Sequence, residues 1–181
     1  MKKFAKIFAS VTLIASMAMS LAGCALTDAK NAGDEIMGLA FELKGSKVTK
    51  YFNEDDKKSD EQSASFEDVI NDFEKQLELE FEDVTPKANK VAVKNDEATL
   101  DYKILIGDGE YEFTLNLEQD GDDWVIADNE EFSVQLYTLF FDIVDDEGSK
   151  SQKAFIKEAR ENVGVKNNEK LAQAIYDSYF E

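Results

Sequence analysis

The sequence predicts an α+β protein with N-terminal helices, a four-stranded antiparallel meander and three C-terminal helices. Apolar and polar residues alternate with period two through residues 90–128, which is typical of half-buried strands. The regions on both sides instead place apolar residues at helical spacing. Short polar turns divide the alternating region into four strands, at Asn95-Asp96, Asp108-Gly109 and Asp120-Gly121.

These turns predict the strand register. Asp-Gly pairs suit two-residue type I′ turns, because both central residues of such a turn take positive φ. Two-residue loops place Ile104 opposite Phe113 and Leu117 opposite Trp124. The apolar side chains then share one face of the sheet, and another layer must cover that face. The candidates for the core or for the lining of a pocket are Tyr102, Ile104, Phe113, Leu115, Trp124 and Ile126.

Helical periodicity predicts two helices before the sheet. The first covers residues 34–43, and the second covers residues 65–81 with Ser65 as its N-cap. Residues 48–52 predict a short helix or turn between them. Residues 53–62 are charged and carry no apolar side chain, so they predict a solvated loop.

Residues 130–144, which follow the sheet, are apolar nearly all round and predict a helix buried on most sides. Within this predicted helix, a stretch of five residues contains three aromatic side chains: Tyr137, Phe140 and Phe141. They predict either a central core helix or a dimer or partner interface, because large exposed apolar patches usually mark contact surfaces. Two shorter helices are predicted after this one.

The first 23 residues have the organisation of a signal peptide. A positive region with Lys2, Lys3 and Lys6 precedes an apolar region that ends in Leu21-Ala22-Gly23-Cys24. This ending resembles the lipobox of bacterial lipoproteins, in which the cysteine receives a diacylglycerol group and becomes the mature N-terminus. The resemblance implies that Cys24 is lipidated at the extracellular face of a Gram-positive-like cell membrane. Residues 25–33 are small and polar, so residues 24–33 are predicted to be a lipidated tether. The alternatives are an ordinary signal peptide with an unrelated cysteine, or an uncleaved anchor shorter than the ~20 residues of a membrane span.

Acidic residues outnumber basic residues by 39 to 20. Without the three lysines of the signal region, residues 24–181 carry 17 basic and 39 acidic side chains, a net charge of −22. Such a charge repels nucleic acid, so no nucleic-acid partner is expected. The chain has no histidine and one cysteine, so the usual zinc ligands and histidine-dependent nucleophiles are missing. No metal or cofactor is therefore expected besides the lipid on Cys24.

Carboxylates and tyrosines are the remaining reactive groups. The acidic turns at residues 120–123 and 142–147 lack the spacing of an EF-hand calcium loop and predict solvated loops. In the predicted register Asp101 faces away from Tyr102 and lies opposite Lys90. Ion pairing, rather than acid–base catalysis, is therefore the predicted role of Asp101.

Helices followed by a meander that ends in Leu115-x-Leu117, Gly121 and Trp124-x-Ile126-x-Asp128 resemble the nuclear-transport-factor-2-like superfamily. The resemblance covers residues 34–128 of a single domain, residues 34–181. It implies a curved sheet that wraps helices into a cone with an apolar pocket. Residues 129–181 form a helical extension that this family usually lacks, and its first helix would plug the pocket or cover the open face of the sheet.

These observations predict a membrane-anchored extracellular lipoprotein that is a non-enzymatic binding or interaction module. Its expected partner is a small apolar ligand or another protein, and the oligomeric state is left open. One alternative is a carboxylate-dependent cell-envelope enzyme that acts on glycan or cell wall. Another is an envelope structural or chaperone-like accessory protein.

Overall fold

The predicted α+β order is confirmed in the computed structural model, which describes residues 22–53, 59–81 and 84–179. Three helices precede four strands, three helices follow them, and a single 3-10 turn, Thr49–Tyr51, lies after the second helix. The helices are α1 (Ala22–Phe41), α2 (Gly45–Val48), α3 (Ser59–Gln76), α4 (Asn129–Glu147), α5 (Lys150–Val163) and α6 (Asn168–Asp177). The strands are β1 (Ala88–Lys94), β2 (Glu97–Ile106), β3 (Gly109–Asp120) and β4 (Asp123–Ile126).

The sheet is an open antiparallel meander in the order β1-β2-β3-β4. Its first hairpin has the predicted register, with Val93 opposite Ala98 and Lys90 opposite Asp101. The Lys90 ammonium lies 3.3 Å from the Asp101 carboxylate on the outer face, as predicted for a cross-strand ion pair. The inner face carries the predicted apolar side chains.

The other two hairpins differ from the predicted register by two residues. Ile104 lies opposite Tyr111 rather than Phe113, and Trp124 lies opposite Gln119 rather than Leu117. The reason is the position of glycine in each turn. Gly107 and Gly121 occupy the first loop position with positive φ, as in type II′ turns, so Asp-Gly does not form the loop. A shift of two residues keeps every side chain on its face, so the predicted inner residues remain buried.

Helix α1 begins twelve residues before the predicted start at Asp34. The segment 25–33, predicted to be a tether, is therefore helical. Ala29 within it is fully buried, so tertiary packing adds to the helix propensity of a segment rich in alanine. The signal region, residues 1–21, lies outside the described residues.

Helix α3 also begins earlier than predicted, at Ser59 rather than Ser65, and ends at Gln76 rather than Phe81. Gln62, predicted to lie in a solvated loop, is buried because its amide donates to the Tyr176 hydroxyl at 2.9 Å and accepts from the Asn129 amide at 3.0 Å. This network joins α3 to α4 and α6 across long sequence distances. Residues 54–58 of the predicted loop lie outside the described ranges.

Helix α4 is the centre of the protein, as predicted for a core helix, but it continues to Glu147, so the acidic residues 142–147 are helical rather than part of a solvated loop. It contacts β3 on one side and α3, α5 and α6 on the others. The Phe140 ring is fully buried and packs against Phe41, Phe73 and Phe81, with ring centroids 5.5, 6.2 and 4.9 Å away. The inner face of the sheet is thus covered by helices.

Gly33 marks the closest approach of α1 to the sheet. A Cβ atom at this position would collide with Leu100 Cδ2 and lie 2.7 Å from the Tyr102 hydroxyl. We expect Gly33→Ala to lower the free energy of unfolding by ~1–3 kcal/mol, because both neighbours are buried and cannot move freely.

Gly38 provides the matched control in the same helix. Apart from its chain neighbours and the backbone of its own helix, no atom lies within 4 Å of a Cβ built there, so Gly38→Ala should raise the free energy of unfolding by up to ~1 kcal/mol. Urea denaturation measures the free energy of unfolding of both variants. Equal stability of the two would contradict the close packing at Gly33.

Candidate binding groove

Strand β3 is much longer than β4, so part of it has an open edge. β4 pairs only with residues 117–120 of β3. On that side of residues 110–115, no other strand in the described part of the chain pairs with β3. The unpaired part faces a groove on the protein surface.

The backbone of β3 alternates between its two neighbours. The Gln119 N–H donates to Asp96 on the side of β2, whereas the Asn116 carbonyl accepts from the Ala127 N–H on the side of β4. Backbone groups of antiparallel strands alternate in direction along the strand. The N–H and C=O groups of Glu110, Glu112 and Thr114 therefore point toward the open edge.

The groove lies between this edge, helix α4 and the residues that lead into α6. It has a volume of about 1190 Å³. Its deeper part is apolar, with buried Tyr111, Phe113 and Leu139 and half-buried Val134. The charged residues of its rim are acidic apart from Arg160 and Lys166. The carboxylates that line it belong to Glu110, Glu112, Asp128, Glu130, Glu131, Asp142 and Glu169.

A polar cluster closes one side of the groove. Arg160 donates to the Asp145 carboxylate at 2.6 and 3.3 Å and to the Asn168 amide oxygen at 2.9 Å. Asn168 in turn donates to Asp142 at 2.8 Å and to Asp145 at 3.0 Å. Desolvation raises the pKa of Asp142, and the Asn168 hydrogen bond opposes this rise. The single arginine of the chain is thus engaged with Asp145.

Tyr111 lies at the end of the groove near the β2–β3 turn. Its hydroxyl is 3.4 Å from an Asp146 carboxylate oxygen. Desolvation, followed by the negative charges of Asp146 and Glu147, raises the pKa of Tyr111 to about 12. The phenol therefore stays neutral to a higher pH than an ordinary tyrosine and is an uncharged donor at the acidic rim.

A smaller cleft of about 540 Å³ lies at the opposite end of β3. The turn at residues 120–123 forms one wall, and Asp28 and Glu35 of α1 form another. Desolvation, followed by a hydrogen bond with Glu35, raises the pKa of Tyr51 at this cleft to about 12. Within the described ranges, no group of three or more carboxylate or thiol side chains has an arrangement that could hold a metal ion.

The predicted site residues lie mostly in the core. Cys24 is exposed in the first turn of α1. The six predicted inner residues of the sheet are all buried, and among them Phe113 alone lines the groove. The alternative of an interface on α4 does not hold at the predicted positions, because burial leaves at most 1% of each residue exposed. These positions are Tyr137, Phe140 and Phe141.

The two groups considered for acid–base chemistry are held apart, as predicted. Asp101 lies on the outer face, where it pairs with Lys90 and accepts from the Thr114 hydroxyl at 3.2 Å. Tyr102 lies on the inner face, and its hydroxyl has no hydrogen-bond partner among the described residues. Burial, followed by the charge of Asp34, raises the pKa of Tyr102 well above its ordinary value.

Sequence reasoning missed the edge residues Glu110, Glu112 and Thr114. One signal was present: the alternating segment that becomes β3 is visibly longer than the segment that becomes β4. When an inner strand is longer than the strand beside it, part of its edge has no pairing strand. Whether that edge opens into a groove also depends on where the covering helices lie. Hydrophobic periodicity does not predict the position of these helices relative to the sheet.

No protein-family model, curated protein or solved structure matches this chain. The resemblance to the nuclear-transport-factor-2-like superfamily thus stays a prediction. Among the helices at residues 22–53, 59–81 and 84–179, none combines the length and the apolar character needed to cross a membrane.

Proposed function

We propose that this protein is a lipoprotein, held at the extracellular face of the cell membrane by diacylglycerol on Cys24, that binds a protein partner without catalysing a reaction. The lipobox pattern and the exposure of Cys24 support the anchor. Two acyl chains suit this role, because a single chain binds a membrane only marginally.

The open groove beside β3 is the observation that carries the binding role. The apolar face of the sheet is buried under helices, and the groove, at about 1190 Å³, is roughly twice as large as the cleft of about 540 Å³ at the other end of β3. Its open form and charged rim favour a protein segment over a small apolar ligand, since small-molecule sites are usually enclosed and mostly apolar.

Because α1 carries Cys24, its position favours an orientation of the protein in which the groove faces away from the membrane. Asp28, one turn after Cys24, shares the smaller cleft with the turn at residues 120–123. The groove residues Glu110 and Glu112 lie toward the other end of β3. Because β3 has 12 residues at ~3.4 Å each, its two ends are roughly 40 Å apart. A partner could therefore reach the groove while the lipid holds the opposite end.

Site-specific photo-crosslinking in intact cells tests the binding role. A photoreactive amino acid at Gln135, which lines the groove, should give a discrete crosslinked species with a partner. The matched control places it at Lys90, whose exposed side chain lies on the outer face. Equal crosslinking from both positions, or none from Gln135, would argue against the groove as the binding surface.

A further inference from the structure

We propose that the groove binds an extended, cationic peptide segment of a protein partner, which adds to the sheet as a new strand at the open edge of β3. This inference rests on the proposed binding role of the groove. It specifies how the partner binds and what charge the partner carries.

The backbone of β3 supplies the first argument. Glu110, Glu112 and Thr114 direct six backbone hydrogen-bonding groups toward the open edge, over a segment of about six residues or roughly 20 Å. Extended peptides bind such edges through main-chain hydrogen bonds, with side-chain contacts that give specificity. The β2–β3 ladder is regular along this segment, and residues 110–115 contain neither proline nor lysine. The segment therefore lacks the bulges, prolines and lysines that commonly block strand edges, and its two charged residues, Glu110 and Glu112, would repel an acidic strand and attract a basic one.

Charge supplies the second argument. The rim holds seven carboxylates against two basic residues, Lys166 and an arginine that is already paired with Asp145. Glu110 lies 2.7 Å from Lys103, but Glu112 has no ion pair among the described residues. A strand with basic side chains on the outer face would meet Glu110 and Glu112, and its apolar side chains would point toward the inner face beside Tyr111 and Phe113.

The same charges disfavour a second copy of this chain as the occupant. Antiparallel pairing of two β3 edges about Glu112 would place this glutamate directly opposite its equivalent. Like charges directly opposite each other destabilise a strand pair. The acidic edge thus discriminates against self-association and favours a basic partner.

Peptide binding to the purified domain tests the proposal. The probe is a capped seven-residue peptide of alternating lysine and valine, titrated at low salt and followed by NMR of the protein. We expect binding that moves the amide signals of Glu110, Glu112 and Thr114 and that weakens as salt rises. The control peptide, with glutamate in place of lysine, should not bind. Absence of binding by the lysine peptide would overturn the proposal.

Two N-methylated probes test the strand pairing itself. One carries N-methyl groups on the lysine amides and the other carries them on the valine amides, so each blocks one edge of the peptide. Only one of them should lose affinity, by at least about tenfold, because one peptide edge faces β3. Loss of affinity with methylated lysines indicates that the peptide pairs antiparallel to β3. Loss of affinity with methylated valines indicates that it pairs parallel to β3. Equal affinity of both for the protein would overturn strand addition.

A pair of protein variants gives an independent readout. Glu112→Ala removes the carboxylate and keeps the outward N–H, whereas Glu112→Pro removes both. We expect the proline variant to bind the lysine peptide at least about tenfold more weakly than the alanine variant. Equal binding by two folded variants would contradict pairing at this edge. Crosslinking from Gln135 together with equal binding of both methylated peptides would retain the binding role and reject strand addition.

Discussion

The Cys24→Ala variant is expected to leave the membrane fraction or to accumulate as the unprocessed chain. The physical reason is the loss of the thiol that would carry diacylglycerol, because each buried methylene of an acyl chain contributes ~0.8 kcal/mol to membrane binding. Cell fractionation, with intact mass measurement of the purified protein, distinguishes the two outcomes. In the parent protein the mass should correspond to residues 24–181 with an added diacylglycerol.

Thr27→Ala provides the control for this experiment. Thr27 is exposed in the same turn of α1, and its hydroxyl donates only to the Gly23 carbonyl at 2.9 Å. This variant should keep its lipid and remain in the membrane fraction. Acylation of the Cys24→Ala variant at the parent level would refute the assignment of the lipid to this residue.

The largest expected loss of stability follows from Phe140→Ala. Its ring is fully buried among three other aromatic rings, so truncation leaves a cavity at the centre of the molecule. We expect the free energy of unfolding to fall by ~3–5 kcal/mol. This is a large part of the ~5–15 kcal/mol that typically stabilises a domain. Urea denaturation followed by circular dichroism measures the change.

Phe155 in α5 offers the same substitution at an exposed position. Because 41% of this residue is accessible to solvent, Phe155→Ala should change the free energy of unfolding by less than ~1 kcal/mol. Similar losses in the two variants would show that α4 is not the centre of the core.

Period-two patterning predicted the sheet well, because it records which side chains face the core. The same pattern does not distinguish a register from one shifted by two residues, since both bury the same side chains. The residues of the turns determine which of these two registers forms. Glycine at the first loop position, as at Gly107 and Gly121, outweighed the Asp-Gly pairs used for the prediction.

The helix boundaries were harder to predict, for a different reason. Gln62 lies in a charged stretch without apolar residues, yet contacts with Asn129 and Tyr176 bury it within α3. Those partners are 67 and 114 residues away in sequence. Local patterns carry no signal for such distant hydrogen bonds, just as they do not place α4 beside the edge of β3.

Amide hydrogen exchange along β3 tests the open edge most directly, in the purified domain without any ligand. The N–H groups of Glu110 and Glu112 point away from β2, whereas those of Tyr111 and Phe113 pair with it. We predict that the Glu110 and Glu112 amides exchange at least about tenfold faster than the Tyr111 and Phe113 amides. Uniform protection of all four amides would mean that the edge is already covered, and would contradict a binding groove beside β3.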